Sequence, residues 1–141
     1  MRVVFDTNVL VSALITTGKP RLLFHKVVDG QIQLILSKNI LTEFSEVADD
    51  PRIRKYVDQD NIVVFLRIID KVATITKVKS RFKILKEDPD DDVVLRTVVD
   101  SKSEVIVSGD KHLLSLEVFR GIRILTVDEM LTLLKEQKVQ K

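Results

Sequence analysis

Four acidic residues stand where they could share one piece of chemistry. Asp6, in Asp6-Thr7-Asn8, directly follows the apolar run Val3-Val4-Phe5, and Asp110 closes Val105-Ile106-Val107-Ser108-Gly109-Asp110. Glu43 and Asp91 lie in segments of helical period. Carboxylates gathered at one site repel: two unit charges about 4 Å apart cost roughly 1 kcal/mol in water and about 4 kcal/mol at an effective dielectric of 20. A divalent cation removes that cost, and an all-carboxylate donor set suits Mg2+ or Mn2+. Zinc fits poorly, because His25 and His112 are the only histidines and cysteine is absent. A hard cation can activate water and stabilise charge on a phosphodiester. Metal-assisted phosphodiester hydrolysis is therefore the reaction class that follows.

For acids so far apart in sequence to meet, the elements between them must return each to one edge. Residues 2–5 read as a strand, and 7–15 and 20–29 as helices around Gly18-Lys19-Pro20. Ile32 to Leu36 is a second strand, and Ser37 is an N-cap for a helix over about 38–48. Asp50-Pro51 punctuates before helices at 52–57 and 59–73. Phe82-Lys83-Ile84-Leu85 reads as a third strand, with a helix starting within Asp88-Pro89-Asp90-Asp91-Asp92. Val105 to Ser108 is a fourth strand, Lys111 to Leu116 a short helix, Ile122 to Leu125 a fifth strand, and 127–137 a closing helix. Strands alternating with helices predict an α/β fold, a parallel sheet covered on both faces in three α/β/α layers. No linker or repeat interrupts the pattern, so residues 1–141 are expected to form a single domain. In such sheets ligands bind beyond the carboxyl ends of the strands, where Asp6 and Asp110 would both lie.

Helical angle decides between neighbouring acids. After Ser37 the apolar stripe is Ile40, Leu41, Phe44, Val47 and Ala48, which leaves Glu43 on its border and Glu46 opposite, in solvent. In the later helix the stripe centres on Val94, Leu95 and Val98. Asp91 precedes these by three, four and seven residues and faces inward, whereas Asp92 falls to the side in line with Arg96. Each acid also has a plainer reading. Asp6 and Asp110 could cap the helices that follow them, Glu43 could be a surface residue, and Asp88, Asp90 and Asp92 could be first-turn acids favoured by the helix dipole.

Composition narrows the classes. Hydrophobic residues at 45% and charged residues at 31% describe an ordinary globular chain and exclude a disordered one. No apolar run approaches the roughly 18 residues of a membrane span, and the start is too quickly interrupted for a signal peptide, so a cytoplasmic protein is expected. The net charge of +2 permits nucleic-acid binding without demanding it. Lys77, Lys79, Arg81 and Lys83 alternate at period two, and if extended would present one basic face to an RNA backbone. The alternative is an edge strand guarded by lysines. With 5% aromatic residues, one tyrosine and no tryptophan, base stacking is disfavoured.

The opening Val-Val-Phe-Asp-Thr-Asn-Val-Leu, the Leu41-Thr42-Glu43-Phe44 helix, the Asp88-Pro89-Asp90-Asp91 helix start and Val107-Ser108-Gly109-Asp110 together resemble the PIN domain. Order and spacing agree from Met1 to about Thr126, and the likeness is to the prokaryotic branch that includes toxin components of toxin–antitoxin systems. The resemblance implies a central five-stranded parallel sheet and a Mg2+- or Mn2+-dependent ribonuclease. It carries the metal-binding acids onto Asp6, Glu43, Asp91 and Asp110, with Asn8 and Ser108 as polar support. It also implies a homodimer and, in a toxin setting, a small antitoxin that blocks the cleft. Asp92 stands where that branch usually has Asn, so it could share or replace the role of Asp91. Ser108 stands where many members have Thr, which keeps the hydroxyl. Two rival readings remain open: an acidic pocket for phosphoryl transfer, as in receiver or phosphatase domains, and a non-catalytic RNA-binding module whose acids serve only as caps.

Overall fold

The computed structural model describes residues 1–83 and 89–139, apart from the side chains of 89–91 and 138–139. Strand β1 (Arg2–Phe5) is short and almost wholly apolar, with Val3, Val4 and Phe5 fully buried. It leads to α1 (Thr7–Ile15) and α2 (Lys19–Val28), then to β2 (Gln33–Ser37). Helices α3 (Lys38–Ala48), α4 (Pro51–Arg54) and α5 (Gln59–Val72) precede β3 (Thr74–Thr76). After α6 (Pro89–Asp100) come β4 (Val105–Val107), α7 (Lys111–Leu114), β5 (Val118–Phe119), β6 (Ile122–Leu125) and α8 (Val127–Val139).

The sheet runs in the order β3-β2-β1-β4-β6-β5. The first five of these strands are parallel, and β5 adds an antiparallel edge. Chain progress reverses direction at β1: β2 and β3 lie to one side, β4 and β6 to the other. Connections between parallel strands are almost always right-handed, so crossovers in opposite directions put helices on both faces, giving the three layers. The core is continuous through the sheet, from Leu34, Ile35 and Leu36 of β2 to Ile106 and Val107 of β4. Among the described residues no helix is long and apolar enough to cross a membrane.

Two expectations need correction. The third strand is Thr74–Thr76, not 82–85: Phe82 and Lys83 belong to no strand, and Ile84 and Leu85 lie outside the described residues. The β-branched triplet follows the end of α5 directly and pairs with Ile35, Leu36 and Ser37 of β2, which satisfies its backbone at the sheet edge. The sixth strand, β5, had no counterpart in the sequence reading. It forms a hairpin with β6 because Arg120 (φ 51°) and Gly121 (φ 80°) both take positive φ, as a tight two-residue connection requires.

Candidate active site at the carboxyl edge of the sheet

The reversal of strand order lies between β1 and β4, where open α/β sheets form a crevice. Asp6 follows β1 there, and Ser108 and Asp110 follow β4. Backbone pairing fixes the approach: Asp6 N–H donates to Val107 O at 3.1 Å, and Ser108 N–H to Leu125 O at 2.9 Å.

Asp6 is 4% exposed. Its Oδ1 accepts the Val9 N–H at 3.0 Å, capping α1, and its Oδ2 accepts the Ser108 hydroxyl. Ser108 Oγ in turn accepts the Asp110 N–H at 2.9 Å, so one hydroxyl ties the two acidic loops together. Asp110 Oδ1 accepts N–H groups of His112 (2.8 Å) and Leu113 (3.2 Å), capping α7. The capping expected of both acids is thus real, and it orients the carboxylates at the crevice. Burial pushes the Asp6 pKa up and the charge of Asp110 pushes it further, outweighing the bonds from Ser108, Val9 and Asn8. Asn8 is exposed and, with Ser12, Ser108, Gly109 and Thr126, lines an adjoining cleft of about 330 Å³.

Ser37 ends β2 beside β1 and caps α3, accepting the Ile40 N–H at 3.3 Å. That helix presents Glu43, half-buried, in a groove of about 400 Å³ that it shares with Thr42, Glu46 and Val93 of α6. Glu43 therefore stands beside the start of α6, and Glu46 is exposed at the same groove. Asp91 lies in the first turn of α6, but its side chain is outside the described residues. Asp92 is 2% exposed, contrary to the sideways, solvated placement given by the wheel. A wheel sees one helix only, and here the flank carrying Asp92 is covered as well as the face toward the sheet.

Sequence reasoning passes over Thr7. Its hydroxyl is buried at the start of α1 with no hydrogen-bond partner among the described residues. A buried unpaired hydroxyl costs free energy unless something completes it. The only signal in the sequence was its place between Asp6 and Asn8.

Among the described residues no three or more His, Asp or Glu side chains gather closely enough to hold a metal ion. The pair Asp6 and Asp110 nevertheless fits a hard cation: the donors are all oxygen, and like charge already raises Asp6.

A family model described as the PIN domain matches residues 2–112. An uncharacterised protein of Methanocaldococcus jannaschii is 33% identical over 118 residues, 82% of this chain and 75% of that protein. The fold is similar to a crystal structure of VapBC2 from Rickettsia felis, bound to a DNA fragment from its promoter. That match has a TM-score of 0.61 at 11% identity, over 89% of this chain and 98% of the other. With the family match spanning most of its length, the chain belongs to the PIN domain family, whose members are generally nucleases.

Proposed function

We propose that the chain is a metal-dependent endoribonuclease that hydrolyses RNA phosphodiester bonds. The observation that carries this reading is the Asp6–Ser108–Asp110 arrangement, a buried carboxylate held beside a second one at the strand-order reversal. Asp6, Glu43, Asp91 and Asp110 are the residues that would hold Mg2+ or Mn2+, and Asp92 is the alternative to Asp91. When bound, the cation supplies charge stabilisation on the phosphate and a more acidic water. Ser108 orients Asp6 through its hydroxyl, and Asn8 offers an exposed amide to a substrate in the adjoining cleft. Polar partners that orient ligating carboxylates typically change metal affinity or activity by about 10–100-fold when removed.

The reading extends to a cytoplasmic toxin, acting as a homodimer and restrained by a small antitoxin. Family membership and the likeness of fold to VapBC2 support that extension.

Cleavage of a labelled RNA with Mn2+ tests the assignment. Asp6→Asn and Asp91→Asn should each slow cleavage by on the order of 100-fold or more, with Asp92→Asn less affected. Equal rates in all three and the wild type would sink the site. Loss confined to Asp92→Asn would move the third acid by one residue. Activity on a small phosphate ester with none on RNA would replace the nuclease reading by the phosphatase one.

A further inference from the structure

Residues 71–86 hold six lysines and arginines and no acid, although the net charge of the chain is only +2. The rest of the chain is therefore net acidic, and the positive charge is concentrated here. From 77 to 83 exposure alternates without a break: Lys77, Lys79, Arg81 and Lys83 are exposed, and Val78, Ser80 and Phe82 are half-buried. Strand pairing does not produce this pattern, because residues 77–83 lie in neither strand nor helix. The edge-guard explanation, which needs lysines on a strand, does not apply to them.

What fixes the pattern is fastening from the inner side. Asp100, the last residue of α6, accepts the N–H groups of Lys79 (2.6 Å) and Ser80 (2.9 Å) and the Ser80 hydroxyl. One turn earlier, Arg96 Nε donates to the Phe82 carbonyl at 2.9 Å. The Phe82 ring packs on Phe119 at 5.7 Å, and the Arg120 guanidinium covers both rings. With Ser80 and Phe82 anchored, the four cations are left on the exposed side of this segment, one at every second residue. Among the described residues none of the four makes an ion pair. Lys79 lends part of its charge to Asp100, and all four side chains remain exposed to a polyanion.

We infer that Lys77, Lys79, Arg81 and Lys83 form a fixed track for the phosphate backbone of single-stranded RNA. The choice of RNA rests on the nuclease reading, whereas the track itself rests on the fastening. Such contacts position the strand without reading its sequence, which agrees with the scarcity of aromatic residues for stacking.

The test is the salt dependence of binding to a labelled single-stranded RNA, measured by fluorescence anisotropy in EDTA so that nothing is cut. Each phosphate contact on a single strand contributes about 0.7 to the slope of log K against log salt. Replacing all four residues by Gln should flatten the slope by about 2.8 and weaken binding most at low salt. A control with Lys55, Arg67, Arg123 and Lys135 changed to Gln, all exposed elsewhere, makes the same change in net charge. The control should keep most of the wild-type slope, and circular dichroism melts should show both variants folded. An equal loss in both variants would reduce the effect to net charge and overturn the track. Cleavage by the wild type together with an unchanged slope in the track variant would overturn the track while leaving the nuclease reading intact. Tighter wild-type binding to duplex DNA than to RNA would overturn the choice of polymer. No RNA binding or cleavage by the wild type would sink both readings.

Discussion

Asp6 is held in a state that stability alone would not select. Burial raises its pKa above the usual 3.8, Asp110 adds to the rise, and the bonds from Ser108 and Val9 only partly oppose it. The folded chain thus binds this proton more tightly than the unfolded chain does. Ionising Asp6 then costs stability: nothing below pH 3.8, increasingly through the window above it, and fully beyond the raised value. Asp6→Asn should therefore raise the melting temperature at pH 7, by roughly a few degrees, while slowing cleavage by on the order of 100-fold or more. The gain should disappear when melts are repeated below pH 3.8. A variant less stable than wild type at pH 7 would mean that the carboxylate is a net stabiliser, against this account. At this scale the sequence was most informative where residue type and strand end coincide, as at Asp6, Ser108 and Asp110. It was least informative at Asp92, whose burial depends on what covers the far flank of α6, and at Thr7, whose hydroxyl has no partner among the described residues for reasons of tertiary packing.

Helix α6 begins at the acids and ends at the fastening of the basic segment, so one element serves both features. Burial alone would raise the Asp100 pKa, but the bonds from Ser80 and Lys79 and the Lys79 charge hold it below the usual value. That contribution is present above pH 3.8 and is lost as pH falls through the lowered folded value. Hydrogen bonds to a charged group are worth roughly 1.5–3 kcal/mol, and the partial exposure of Asp100 argues for the low end. Asp100→Ala should release residues 77–83, so that trypsin cuts there about tenfold faster. RNA binding should weaken even though an acid beside the track has been removed. Stronger binding with unchanged proteolysis would mean that Asp100 acts only through its charge. This element also shows why the strand at 82–85 was misplaced from the sequence. Alternation at 77–83 has the period of a strand, yet a helix terminus rather than a neighbouring strand produces it. The true third strand, Thr74-Ile75-Thr76, is too short to display a period of its own. By contrast Ser37, which both ends β2 and caps α3, announced itself by residue type and position.

Across the whole molecule, the parallel order β3-β2-β1-β4-β6 makes the cost at Asp6 recoverable, because the reversal beside β1 brings a second acidic loop to it. The alternation of strands and helices was readable in advance. The antiparallel β5 was not, since it depends on positive φ at Arg120 and Gly121. If the pair Asp6 and Asp110 belongs to a cation site, the ion must stabilise the folded chain by mass action. Mn2+ should then raise the melting temperature progressively with concentration. At about 100 times its dissociation constant the gain is about 2.7 kcal/mol, or roughly 10 °C for a chain of this size. Asp6→Asn, already relieved of its buried charge, should start higher in EDTA and respond little to Mn2+. The two melting curves, plotted against Mn2+, should therefore cross. Parallel curves would place the ion away from Asp6, and a flat wild-type curve would leave the acids as helix caps alone. A crossing ties the instability of the empty pair to the binding of the ion, which neither variant rates nor melts in EDTA can do separately.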